Sequence, residues 1–169
     1  MVRRVRVLMF RGYRRLPRRF RRFVVRRVAP SYSVGAMCVI ERGDGALLLV
    51  RQSYRVGWGC AGGLLRRGEE TIEGARREAE EEVGVALDID DDPPRAFIDP
   101  GARRIDVVFR CRVRPPVPDE IQPRSAEIVE VRWFRRDNLP VLQSEVAHAL
   151  SRMGLVDAGG AQSSSGSAS

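Results

Sequence analysis

Four carboxylates, Glu78, Glu80, Glu81 and Glu82, crowd into five consecutive residues of the stretch Gly63 to Val85, which reads GLLRRGEETIEGARREAEEEVGV. If this stretch is helical, Glu78, Glu81 and Glu82 stand at i, i+3 and i+4 and converge on one face, while Glu80 points away. Like charges at that spacing repel by about 0.2–0.5 kcal/mol per pair, a cost that a bound divalent cation turns into a gain. Cys60-Ala61-Gly62-Gly63 is expected as the turn before the helix, and its two glycines allow backbone carbonyls and amides to approach a ligand closely. A solvated surface helix has no need of paired glycines, Glu69 and Gly84 at fixed offsets from its acids, so a metal site is the better account of the pattern.

The helix that must carry these acids is marked at both ends. Thr71 is the expected N-cap, with Gly74 where a capping box would place an acid. Ile72, Ala75, Ala79 and Val83 form a narrow apolar stripe for burial against a sheet. Gly84 is suited to the left-handed residue that ends a helix, which places the last helical residue at Val83.

The spacing G-x5-E-x7-R-E-U-x-E-E-x-G-U, with U an aliphatic residue, resembles the Nudix box. The fixed positions are filled by Gly63, Glu69, Arg77, Glu78, Glu81, Glu82 and Gly84, and the U positions by Ala79 and Val85. The resemblance implies hydrolysis of a diphosphate linkage in a nucleoside diphosphate joined to another moiety (NDP-X), or in a nucleoside triphosphate, with Mg²⁺ or Mn²⁺ as cofactor. It also implies roles. Glu78, Glu81 and Glu82 would hold the ion together with the carbonyl of Gly62 or Gly63, a hard oxygen set. Arg77 would pair with Glu69 and brace the loop against the helix. The ions would activate a water for attack at phosphorus, and Glu78, Glu82 or Glu127 of the later segment Ser125–Ile128 would accept its proton. Two alternatives stay open: an RNA 5′-end pyrophosphohydrolase, and a non-catalytic nucleotide-sensing or RNA-binding Nudix module.

The remaining elements fit a single domain at residues 32–154. The chain has 169 residues, 43% of them hydrophobic, which suffices for one core. Val34 to Glu41 and Ala46 to Gln52 read as strands of a hairpin around Gly43-Asp44-Gly45, followed by strands at Arg95–Asp99, Arg104–Val113 and Ile128–Phe134. In the longest, Ile105, Val107, Phe109, Cys111 and Val113 alternate, the pattern of a half-buried strand. A second helix is expected from Val141 to Met153. The fold class is therefore α/β, an α/β/α sandwich of Nudix type with a mixed sheet, preceded by a basic helical arm. Residues 58–63, Trp-Gly-Cys-Ala-Gly-Gly, depart from the family's W-x-x-P-G-G by Ala61 in place of Pro. For substrate contacts, Arg51, Trp58 and Arg104 are the candidates, with Tyr54, Arg55, Phe97 and Arg103 as further stacking or phosphate-holding groups.

Residues 1–31 form a different kind of segment. Residues 1–28 hold twelve of the thirty basic residues and no acid, so that against a whole-chain charge of +8 the rest of the molecule is net negative. All thirty basic residues are arginine, which weakens any inference from Arg as such. After Pro17, Phe20, Phe23, Val24 and Val28 fall on one helical stripe ringed by arginines. Such an arm could meet an anionic membrane, RNA or the domain's own acidic surface, or serve as a mitochondrial-type targeting peptide. No apolar run reaches the length of a membrane span, and a cytoplasmic location is expected. Cys38, Cys60 and Cys111 read as buried free thiols, His148 as a packed or surface residue, and 155–169 as a disordered Gly/Ser tail. The oligomeric state is not encoded in any of these features.

Overall fold

The computed structural model describes residues 17–29, 31–116, 118 and 120–156. Helix α1 (Arg18–Val28) belongs to one compact unit and everything from Ser33 onward to another. The rest of the arm, residues 1–16, and the tail from 157 lie outside the described residues.

The second unit is one mixed sheet with a helix on each face. Its elements are β1 (Ser33–Glu41), β2 (Leu47–Gln52), β3 (Ala61–Leu64), α2 (Thr71–Val83), β4 (Leu87–Ile89), β5 (Arg95–Asp99), β6 (Arg104–Val113), β7 (Ile128–Phe134) and α3 (Ser144–Arg152). The seven strands run in the order β4-β6-β1-β2-β7, with β3 paired to β1 and β5 to β6. Only β1 and β6 are parallel, in register from Ser33 opposite Arg104 to Ile40 opposite Cys111. On its other edge β1 is shared: its first half pairs with β3 and its last two residues with β2.

Burial on both faces explains the near-continuous apolar runs of β1 and β2. Ala36, Cys38, Ile40, Leu48 and Val50 face α2, where Ala75, Ala79 and Val83 meet them. Met37, Val39, Leu47 and Leu49 face the other way, onto Val146, Ala149 and Leu150 of α3. Strand β6 sits between β1, β4 and β5, so Asp106 and Val108 are buried along with Phe109, Cys111 and Val113. The alternation in its sequence captured only one of its two covered faces. Ala75 and Ala79 have no exposed surface at all. Their small side chains let α2 lie close to the sheet, near enough for the Cys38 thiol to donate to the Ala75 carbonyl at 3.3 Å.

Helix α2 ends as expected, with Gly84 in the left-handed region at φ 69° and its N–H donating to the Glu80 carbonyl at 3.1 Å. Its start differs by one residue. The N-cap is Glu70, extended at φ −78°, and Glu73 rather than Gly74 then occupies the capping-box position. Of the segment expected as a turn, residues 61–63 are strand. A Cβ at Gly62 would fall 2.8 Å from Met37 Cα, so glycine marks the close approach of β3 to β1. The second helix is shorter than expected because the backbone of 141–143 is already committed. Val141 accepts from Trp58 N–H and Gln143 donates to the Trp58 carbonyl, both at 2.9 Å.

Candidate active site

The acid ridge of α2 and the glycine strand β3 form one wall of a cleft of about 900 Å³. At its centre, Arg77 is held from three sides. Its Nε and NH2 donate to the two carboxylate oxygens of Glu69 at 2.7 and 2.9 Å, and NH1 donates to Glu78 at 2.7 Å and Glu81 at 3.1 Å. Glu69 also accepts from the Arg66 amide at 2.7 Å, so the loop 65–70 is tied to the helix through this guanidinium and again where Arg66 NH2 donates to Glu81 at 2.7 Å. These partners, Arg77 first, hold the Glu69 carboxyl down at about 2. The Arg77 guanidinium is pushed in the opposite direction, above its ordinary value, chiefly by the Glu69 hydrogen bonds.

Glu82 is the exception on the ridge. Its side chain is buried, and it accepts the Gly62 N–H at 3.0 Å. Burial pushes its carboxyl up from 4.5 to about 7, the Gly62 amide opposes the rise, and the charges of Glu78, Glu127 and Glu81 add to it. Among the described residues it has no ion-pair partner, so its charge is left without compensation. Across the cleft, Glu127 stands exposed at the end of the loop before β7 and accepts the Tyr54 hydroxyl at 3.1 Å.

The cleft gathers Gly62, Gly63, Arg77, Glu78, Glu81, Glu82, Arg104 and Glu127. Glu69 lies behind Arg77 and Gly84 at the end of the helix, and neither lines the cleft. Arg51 and Trp58 are not brought there either. Arg51 is bound to Glu130 at 2.7 Å across β2 and β7, and Trp58 packs edge-on against Phe134 beside the α3 face, with ring centroids 4.8 Å apart. Phe97 meets His148 edge-on, Arg103 occupies a tight turn at φ 50°, and Tyr54 and Arg55 do line the cleft. The three cysteines are buried and free.

Residues that sequence reasoning passed over complete the lining of the cleft: Gln52, Asp99, Asp106, Ser144 and Glu145. Asp106 is buried and paired with Arg104 at 2.7 Å, and Glu145 is paired with Arg55. A signal for the first pair was present, because residues two apart in a strand share a face and an Asp interrupts an apolar run. Glu145 gave none.

Among the described residues, no three His, Cys, Asp or Glu side chains close into a ready-made metal cage. Glu78 is ion-paired with Arg77, and Glu81 with both Arg66 and Arg77. The donors nonetheless suit a hard divalent ion: carboxylate oxygens beside a glycine strand. At Gly63 a Cβ would come 2.5 Å from a Glu78 oxygen, so only glycine leaves that carboxylate its place.

A family model of the NUDIX domain matches residues 31–153. The chain belongs to the Nudix family. A MutT-like protein of Streptomyces ambofaciens is 28% identical over 78% of this chain and 81% of its own length. The NAD-capped RNA hydrolase NudC of Stutzerimonas stutzeri is 31% identical over 67% of this chain, which spans only 40% of that relative. A Nudix hydrolase structure from Nitrosomonas europaea shares the fold with a TM-score of 0.64, at 21% identity over 79% of this chain and 76% of that one. Nudix hydrolases generally use divalent metal ions, and this chain is a Nudix pyrophosphohydrolase.

Proposed function

We propose that the cleft hydrolyses a diphosphate linkage in a nucleoside diphosphate derivative or a nucleoside triphosphate, supported by Mg²⁺ or Mn²⁺. The observation that carries this is the buried carboxylate of Glu82 opening, with Glu78, Glu81 and the Gly62-Gly63 backbone, onto one cleft. Glu78, Glu81, Glu82 and the Gly62 carbonyl would hold the metal, which when bound neutralises phosphate oxygens and lowers the pKa of a coordinated water. Arg77 and Glu69 keep the ridge and loop in register, acting through the groups they brace. Glu127 is the best placed of the three candidate bases, because it is exposed, held by Tyr54, and free of the burial that commits Glu82. Arg104 and Arg55, which also line the cleft, would hold substrate phosphates or the leaving part of the substrate.

A panel of nucleoside triphosphates, dinucleotides and nucleotide sugars, assayed for product with and without Mg²⁺, tests this. Turnover should require the ion, and Glu81→Gln should lower kcat/KM by at least about a hundredfold with the circular dichroism unchanged. Metal-independent turnover, or full activity in that variant, refutes it. A second reading, hydrolysis at the capped or triphosphorylated 5′ end of RNA, is favoured by the NudC likeness alone. Turnover of capped RNA well above that of free dinucleotide would select it.

A further inference from the structure

Residues 1–30 lie outside the NUDIX match, and α1 is their described helix. At about 100° per residue, Phe20 and Phe23 share one arc of α1, Arg18 and Arg22 lie opposite, and Arg19 and Arg21 flank them. Both phenylalanines are more than half exposed, at 57% and 58%. Arg27 falls in their arc, yet its guanidinium sits over the Phe23 ring, 5.8 Å from the centroid. A charged head on an aliphatic stem can reach past an apolar boundary in this way.

This helix is poorly equipped to stand alone in water. It has eleven residues and no acid in its first turn, whereas isolated helices shorter than about 12–15 residues are marginal even with favourable composition. Arg18 and Arg22 are like charges at i, i+4, which destabilise it further. A partner must supply negative charge and an apolar boundary together. A nucleic-acid backbone attracts arginine from every face and gives no cause to gather two phenylalanines on one. A bilayer surface bearing anionic headgroups supplies both, and a helix with a strongly basic face, a small aromatic face and low net hydrophobicity is the form that binds it.

We propose that α1 lies on an anionic lipid surface, Phe20 and Phe23 entering the headgroup boundary and Arg18, Arg19, Arg21 and Arg22 contacting phosphates. The remaining arginines of residues 1–28 add to the electrostatic attraction, which matters because one weak apolar contact anchors a protein only when joined to a basic patch.

The test is flotation of the full chain with vesicles of phosphatidylcholine alone and of phosphatidylcholine mixed with phosphatidylglycerol, alongside binding to a single-stranded RNA oligonucleotide. The full chain should favour the anionic vesicles by at least about tenfold, with the preference falling as salt rises. Phe20→Ser with Phe23→Ser should lower vesicle binding by about tenfold or more while nucleotide turnover is unchanged. Arg18→Gln with Arg22→Gln should weaken the anionic preference and its salt dependence. Equal binding to both vesicle types, no binding to either, or vesicle binding indifferent to the phenylalanine pair overturns the proposal. Tight RNA binding without vesicle binding does the same and identifies the arm as a nucleic-acid contact.

Discussion

Glu82→Gln should remove a pH dependence of stability that the metal-free protein otherwise shows. The side chain keeps its shape and can still accept the Gly62 N–H through its amide oxygen. Its carboxyl stands at about 7 against an ordinary 4.5. At about 1.4 kcal/mol for each tenfold change, that gap corresponds to a differential of on the order of 3 kcal/mol. The sign follows from the direction: a carboxyl raised by folding binds its proton more tightly in the native state. Its contribution is therefore complete below 4.5 and is lost as pH rises through about 7. Urea unfolding in EDTA across this window should show the parent protein losing roughly 3 kcal/mol relative to Glu82→Gln. Other titrating groups are common to both chains and cancel in the difference. At a pH above 8, saturating Mg²⁺ should restore about 3 kcal/mol to the parent at one hundred times its Kd and little to the variant. Parallel stability curves for the two proteins would refute both the burial argument and the demand for a cation at this residue.

The brace around Arg77 and the end of α2 supply further tests. Arg77→Lys cannot make the paired bonds to Glu69, so unfolding free energy should fall by about 1–3 kcal/mol in urea. In the same variant, carbon-detected NMR titration should place the Glu69 carboxyl nearer its ordinary 4.5, whereas the parent holds the proton off until pH falls to about 2. Unchanged titration would show that the loop amide at Arg66, not the guanidinium, sets the value. Gly84→Ala places a Cβ at φ 69° and against the Arg124 side chain, and should cost at least about 1 kcal/mol in denaturant unfolding. Gly63→Ala should cut turnover sharply while leaving the melting temperature less affected, because its Cβ meets the Glu78 carboxylate rather than core.

The helix α2 and its ridge were legible because both depend on spacing within one continuous segment. The apolar runs of β1 and β2 were equally plain, since burial on both faces leaves few polar interruptions. Strand β3 was not, because glycines chosen for closeness to β1 look the same in sequence as glycines chosen for a turn. The three-residue β4 is too short to show a period. Arg51 and Trp58 looked as suited to substrate as Arg104 and Tyr54, and only the pairing of β2 with β7 directs Arg51 to Glu130. Nor could spacing rank the acids. Glu82 is set apart by burial against β3, a contact between residues twenty positions distant.

The sharing of one edge of β1 between β3 and β2 has a bearing on how such a protein can change. The reactive wall, β3 with α2, hangs from the first half of β1, and the connection from Ser53 to Trp58 bridges to it from the separate pairing of β2. Exchanging Arg55 in that connection would alter the rim of the cleft without disturbing the strand that seats Gly62 opposite Met37, whereas Tyr54 must stay, because its hydroxyl donates to Glu127. The rim can thus be varied at Arg55 while Glu127 keeps its hydrogen bond and β3 its seat, which makes this one position the place to begin any redesign of the cleft.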